Sequence, residues 1–241
     1  EIPVLPVFKR IFLDIIKAKK ETNDLFENYV DSKSLKAVVG SATNLKPYLE
    51  DASIDYIYTD PPYGGHIAYL DLSTIYNSWL KFEVSDEMRR QEAIEGGEIK
   101  HTKEDYISLI RESLNEMSRV LKPQTGMSLV FQHREPSLWT NIVETARSVG
   151  LEYQNSVVQH TKLPSWHKID VPQTVLSSQM IINFLRKDDA HFSFSNEGLP
   201  LRQLILNVAE REIVKRLGAS LEEIINALIP ERFDHNYIHE Q

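Results

Sequence analysis

Four consecutive residues, Asp60, Pro61, Pro62 and Tyr63, combine groups that can hold an amino group in a fixed orientation. Each proline lacks a backbone N–H and restricts the residue before it to extended geometry, so the turn is stiff and rich in acceptors. The Asp60 carboxylate and the Pro61 carbonyl can accept two hydrogen bonds from one amine. The Tyr63 ring offers a flat face to a planar base. This run therefore predicts a site for the amino group of a nucleobase.

The chain around the four residues predicts where they lie in the fold. Apolar and β-forming residues at 56–59 predict a buried strand that ends at Asp60. Gly64 and Gly65 follow the aromatic ring and keep the space beyond it open. Ligands of open α/β sheets bind outside the carboxyl ends of the strands, which is where this turn falls.

Periodic patterns along the chain predict an α/β protein. Helical spacing of apolar residues predicts helices over 7–29, 68–82, 104–121 and 136–149, then a C-terminal pair on either side of residues 218–220. Strands are predicted at 35–39, 56–59, 127–131, 151–159 and 177–185, the last two as an antiparallel hairpin. The apolar residues of 68–82 are expected in the core. The long polar stretch 85–103 predicts a substrate contact or a closing lid.

The run Asp60-Pro61-Pro62-Tyr63 resembles the Asp-Pro-Pro-Tyr motif of S-adenosylmethionine-dependent amino-methyltransferases. With Gly64 and the aromatic helix after it, the chain looks most like adenine-specific DNA methylases. The segment from Arg119 to Pro123 is similar to one found throughout class I methyltransferases. The resemblance implies a partial Rossmann-like methyltransferase sheet with flanking helices and a C-terminal helical appendage. It also implies catalytic roles for the four motif residues and substrate contacts by Tyr63, Gly64 and Tyr69.

The resemblance also implies S-adenosylmethionine as cofactor. Gly40, Ser41 and Ala42 stand where the family carries a Gly-Asp-Ala-like turn, and with Asp60 they are the predicted cofactor contacts. Ser41 replaces the family's acid, and its hydroxyl is a weaker acceptor. None of the nine glycines forms the Gly-x-Gly turn that such enzymes use. We therefore expect the catalytic half of a longer enzyme, completed by an N-terminal region or a partner chain that carries the glycine-rich motif.

These patterns divide the chain into an N-terminal helical segment (1–34), a catalytic region (35–190) and a C-terminal helical module (191–241). Three functions stay open beside N6-adenine methylation of DNA. An RNA guanine amino-methyltransferase uses the same turn. A cytosine amino-methyltransferase is less favoured, since that group more often has serine in place of Asp60. A non-catalytic nucleic-acid-binding or scaffold subunit would not need the missing glycine turn.

The composition limits which binding partners and which cellular compartment are expected. The net charge of −8 argues against a protein that binds the phosphate backbone over its whole surface, so DNA or RNA contacts are expected only at local basic clusters. The candidates are residues 89–90, 100–103 and 162–168. The absence of cysteine excludes disulfides and thiolate metal sites, and no metal is predicted. No signal peptide or membrane span is evident, so a cytoplasmic protein is expected.

Overall fold

The computed structural model describes residues 4–26, 36–65, 67–133, 135–160, 178–187 and 200–234. The basic loop predicted at 162–168 lies outside these ranges. The chain divides into two compact units, Glu1–Val39 and Gly40–Gln241. The first contains helix α1 (Val4–Phe26). None of the helices in the described ranges combines the length and the apolar character needed to cross a membrane.

The second unit is built on a mixed sheet with flanking helices, so the predicted α/β class is confirmed. The described strands are β1 (Ile54–Thr59), β2 (Leu121–Phe131), β3 (Leu151–His160) and β4 (Ser178–Arg186), in the order β1-β2-β4-β3. β1 and β2 are parallel, whereas β4 is antiparallel to both of its neighbours. The helices are α2 (Tyr69–Leu72), α3 (Thr74–Leu80), α4 (Asp86–Arg90), α5 (Lys103–Val120), α6 (Pro136–Ser148), α7 (Leu201–Arg216) and α8 (Leu221–Asp234).

One face of the sheet carries the hydrophobic core. Met127, Leu129 and Phe131 alternate along β2 and therefore share this face. They pack in one cluster with apolar residues of α5 and α6, and α8 adds Ile229 and Phe233. The last helix, α8, thus contributes to the same core as the sheet.

Two helices begin with capping boxes. At α5 the Thr102 hydroxyl accepts a hydrogen bond from the Asp105 backbone, and the Asp105 carboxylate accepts one from the Thr102 backbone. At α8 a second box joins Ser220 and Glu223. Each box satisfies backbone donors that the first turn of a helix leaves free.

Three predictions of the fold are wrong. Residues 36–40 form neither strand nor helix and are exposed, so the strand predicted at 35–39 is not formed over its described part. The aromatic segment predicted as a core helix at 68–82 is two short helices without a buried residue, and Trp79 is 77% exposed. β1 is not buried, since Tyr56 and Tyr58 are 57% and 62% exposed. No described strand pairs with the outer edge of β1.

Candidate active site

The predicted motif lies at the carboxyl end of β1, beside the end of β2. Thr59, the last residue of β1, is in register with Leu129, two residues before β2 ends at Phe131. Parallel strands end at the same edge of a sheet, so the turn that begins at Asp60 and the residues after Phe131 are neighbours. Asp60 itself is exposed. Among the described residues it forms no ion pair, so its carboxylate is accessible to a ligand.

Tyr63 holds the Asp60 carboxylate from within the turn. The Tyr63 hydroxyl donates a short hydrogen bond to Asp60 Oδ1. Gln179 Nε2, at the start of β4, donates to the Tyr63 hydroxyl oxygen over 3.3 Å. Partial burial and the negative Asp60 raise the pKa of Tyr63 far above its ordinary value, so the hydroxyl stays a donor. Asp60 therefore keeps one oxygen for another donor.

The ring of Tyr63 is half-buried and is not a free platform. It packs edge to face against Phe131, with 5.6 Å between ring centroids and 83° between ring planes. Tyr69, the predicted second aromatic contact, is largely exposed at the start of α2. Tyr69 makes only a minor electrostatic contribution to the raised pKa of Tyr63. The structure thus places Tyr63 beside Asp60, and whether Tyr69 contacts a substrate stays a prediction.

Tyr106 of α5 fixes the far side of the turn. Its side chain is fully buried, and its hydroxyl donates to the Pro62 carbonyl over 2.9 Å. Burial raises the pKa of Tyr106 to about 12, so this hydroxyl also remains protonated. In the described part of the chain the Pro61 carbonyl accepts no such bond, which leaves it as the second acceptor predicted beside Asp60. The rigid turn is therefore fixed by a hydrogen bond at the Pro62 carbonyl, while the Pro61 carbonyl is available as an acceptor.

The glycine after the motif is required by its surroundings. Gly64 is buried with a φ of +65°, and a Cβ there would lie 3.3 Å from His133 Nε2. His133 follows β2 and is buried; its Nδ1 accepts the Glu135 backbone N–H over 3.0 Å, and its ring stacks on Phe131. A larger residue at position 64 would strain the backbone and displace this imidazole. The predicted open space at Gly64 is therefore occupied by His133.

The predicted cofactor turn is tied to the other end of α5. Leu45 N–H donates to Glu116 Oε2 over 2.8 Å, whereas the motif is held by Tyr106, ten residues or about 15 Å earlier along the helix. A Cβ on Gly40 would come within 2.6 Å of the Tyr48 ring, and the Ser41 hydroxyl bonds to Thr43. No hydrogen bond joins Gly40, Ser41 or Ala42 to Asp60 within the described ranges. Gly40 thus lies against Tyr48 and Ser41 bonds to Thr43; whether this turn contacts a cofactor stays a prediction.

The segment predicted as a lid packs against the chain that follows the motif. Leu70 N–H donates to Glu92 Oε1 over 3.0 Å, and a Cβ on Gly65 would lie 3.0 Å from the Glu95 carbonyl oxygen. Ile94 is fully buried. These contacts place residues 92–95 beside the motif. Whether the segment contacts a substrate stays a prediction.

The cations near the motif are paired with carboxylates. Arg89 forms ion pairs with Asp71 and Glu98, and Arg90 pairs with Glu87. Lys103 Nζ lies 2.6 Å from a Glu135 oxygen. A phosphate would have to compete with these partners. No group of three or more histidine and acidic side chains in the described residues could hold a metal ion.

Three residues of the site, Tyr106, His133 and Gln179, were not predicted. Tyr106 was expected only as an apolar residue on the inner face of its helix, and a hydroxyl directed at a remote carbonyl has no local signal. His133 and Gln179 lie at strand ends on the same edge of the sheet as Asp60. A polar residue just beyond a predicted strand was the one available hint.

The sequence matches no protein-family model and no curated protein. Solved structures with a similar fold include a proposed DNA modification methylase of Thermus thermophilus complexed with S-adenosyl-L-methionine, at 16% identity, covering 70% of this chain and 62% of that one, with a TM-score of 0.35. The cytosine-N4-specific PvuII DNA methyltransferase aligns at 12% identity over 71% and 61%, with a TM-score of 0.40. A proposed sarcosine dimethylglycine methyltransferase of Galdieria sulphuraria aligns at 11% over 71% and 66%, with a TM-score of 0.35. Identities and TM-scores this low assign neither substrate nor cofactor.

Proposed function

We propose that this chain is the substrate-binding part of a methyltransferase that acts on an exocyclic nucleobase amine, with N6 of adenine in DNA as the target. The observation that carries the proposal is the exposed Asp60 carboxylate, in a two-proline turn whose Pro62 carbonyl is fixed by Tyr106. S-adenosylmethionine would supply the electrophilic methyl group. The glycine-rich turn to bind it would come from another segment or a partner chain, since none of the nine glycines forms a Gly-x-Gly turn.

The turn would contribute to the reaction by orienting the exocyclic amine. An amine conjugated into a purine ring is a poor nucleophile, because its lone pair is delocalised into the ring. Hydrogen bonds from its two protons to Asp60 and the Pro61 carbonyl would favour a pyramidal nitrogen and orient its lone pair towards the methyl group of the cofactor. Such a contribution acts by positioning and by electrostatics and needs no covalent intermediate. A duplex base would first have to rotate out of the stack, towards Tyr63 and Tyr69.

The decisive variant is Asp60→Ala in the complete protein, assayed by transfer of a labelled methyl group to DNA and identification of the modified nucleoside. We expect transfer to fall at least ~100-fold with unchanged thermal stability, because Asp60 is exposed. The matched control is Asp55→Ala, an exposed carboxylate on β1 that pairs with Lys122. Equal activity of both variants would contradict the assigned role. Modified guanine in RNA would favour the alternative substrate.

A non-catalytic subunit is the second candidate, favoured by the absence of a Gly-x-Gly turn from the sequence. Titration calorimetry of S-adenosylmethionine with the complete protein, including the segment or partner chain that carries the glycine-rich turn, separates the two. Binding that Asp60→Ala weakens supports an enzyme. Lack of binding, together with nucleic-acid binding that Asp60→Ala leaves unchanged, supports the scaffold.

A further inference from the structure

Helix α1 displays an apolar stripe that none of the other described residues of its own unit covers. It runs for 23 residues, and none of its described side chains is buried. Its exposed apolar residues range from 37% to 79% exposed: Leu5, Phe8, Ile11, Phe12, Leu13, Ile15, Ile16 and Leu25. A soluble helix with so much exposed apolar surface is normally covered by another element. The unit needs a partner surface.

The spacing of this stripe is that of a coiled coil. One row of residues recurs at alternating steps of three and four: Phe8, Ile11, Ile15, Ala18, Thr22 and Leu25. That alternation averages about 3.5 residues, the period that keeps one seam facing a second helix along a supercoil. Phe8, Ile15 and Thr22 then occupy position a, while Ile11, Ala18 and Leu25 occupy position d. The β-branched Ile15 and Thr22 at position a favour two strands.

We propose that α1 pairs in parallel with α1 of a second copy of this chain. With position a at Phe8 and Ile15, Asp14 is a g residue and Lys19 is the e residue of the next heptad. A parallel pair places g beside the following e of its partner, so Asp14 meets Lys19 of the second copy twice by symmetry. An antiparallel pair would set g residues against each other, and both Asp14 and Glu21 are acids. The flanking charges therefore complement a parallel copy of the same helix.

The length of the stripe suits this occupant. The a and d side chains of α1, flanked by Leu5 and Phe12, form a strip over five turns of helix, most of whose large apolar members are half exposed or more. A second identical helix would cover this strip along its whole length. Leu13, on the opposite side of the helix, would stay exposed.

Single cysteines in the full chain test the contact, because the chain has no cysteine of its own. Ala18→Cys places a thiol at position d, opposite its symmetry mate, and Leu13→Cys places one on the outer side. Under mild oxidation we expect at least ~10-fold more disulfide-linked dimer from the Ala18 variant. Equal cross-linking at both positions would overturn the proposal.

Sedimentation equilibrium of the full chain supplies the second test. We expect the mass of two chains at micromolar concentration, and Ile15→Asp should raise the dimer dissociation constant on the order of 100-fold, since it buries two unpaired carboxylates. Leu13→Asp is the matched control and should leave the dimer dissociation constant unchanged. A monomer, or a dimer indifferent to Ile15→Asp, overturns the proposal. So does a monomer that cosediments with phosphatidylserine vesicles, which would make α1 a membrane-surface helix.

The orientation is tested by exchanging the flanking charges. Asp14→Lys alone sets like charges against Lys19 of the second copy and should weaken the dimer several-fold. Adding Lys19→Asp restores opposite charges in a parallel pair, so affinity should recover. Failure of the double variant to recover would overturn the parallel arrangement.

Discussion

At the scale of single residues, the turn at Asp60 depends on side chains that are remote in sequence. Tyr106 is 44 positions from Pro62 in the chain, and Gln179 is 116 positions from Tyr63. Both hold the turn through one hydrogen bond each, on opposite sides of it. The four motif residues could be predicted from the sequence because they are contiguous. Their supports could not, because only the sheet brings them together.

Removing the Tyr106 hydroxyl should make the turn less rigid without leaving a cavity in the core. Tyr106→Phe keeps the buried ring and loses the hydrogen bond to the Pro62 carbonyl. We expect a loss of about 1 kcal/mol in the free energy of unfolding, measured by urea denaturation. Methyl transfer should fall about 10-fold, because the acceptors are held less rigidly. Tyr153→Phe on β3 is the control and should not change the transfer rate; an unchanged rate in Tyr106→Phe would argue against its positioning role.

At the scale of elements, the segment before β1 is fastened to α5 through one buried carboxylate. Glu116 accepts two hydrogen bonds from Arg119, of 2.9 Å and 2.8 Å, and one from the Leu45 backbone. The Arg119 guanidinium and the backbone N–H lower the pKa of Glu116 from 4.5 to about 2. A carboxyl group whose pKa is depressed in the folded state stabilises the fold above its unfolded pKa of 4.5. That stabilisation disappears as the pH falls through about 2.

Glu116→Gln should therefore lower the free energy of unfolding by about 2 kcal/mol at neutral pH. The difference in the free energy of unfolding between the variant and the natural protein should decrease as the pH falls from 4.5 to about 2. Urea denaturation at several pH values measures this difference. Asp51→Asn tests the exposed partner of the same Arg119, and should cost less than about 0.5 kcal/mol. A gap that stays constant over this whole range would show that Glu116 acts through packing alone.

Elements with strong local signals were predicted from the sequence, and elements that need a neighbour were not. α5 follows from its apolar period, and the antiparallel pairing of β3 with β4 follows from two adjacent strand patterns. A strand at 35–39 would need a neighbouring strand to pair with, and no local pattern encodes that neighbour. The aromatic segment at 68–82 has helical spacing, but spacing cannot reveal what covers it.

At the scale of the whole molecule, charge limits how the chain can bind nucleic acid. The net charge is −8, and the cations nearest the motif already pair with acids. We expect at most about three phosphate contacts, hence a slope of log affinity against log salt no steeper than about −3. Fluorescence anisotropy with a labelled duplex, at several salt concentrations, measures this slope. Glu98→Gln removes one of the two carboxylate partners of Arg89, and Glu135→Gln removes the carboxylate that pairs with Lys103. Both should steepen the slope; a natural slope near about −6 would contradict the expectation.

The central claim is that the turn recognises an exocyclic amine, and binding can test it without methyl transfer. The measurement compares single-stranded DNA containing one adenine with the same strand containing purine, which lacks only the amino group. We predict at least ~10-fold tighter binding of adenine, since Asp60 and the Pro61 carbonyl would otherwise lose their donors, and loss of this preference in Asp60→Ala but not in Asp55→Ala. Equal affinity for adenine and purine in the natural protein would contradict the account.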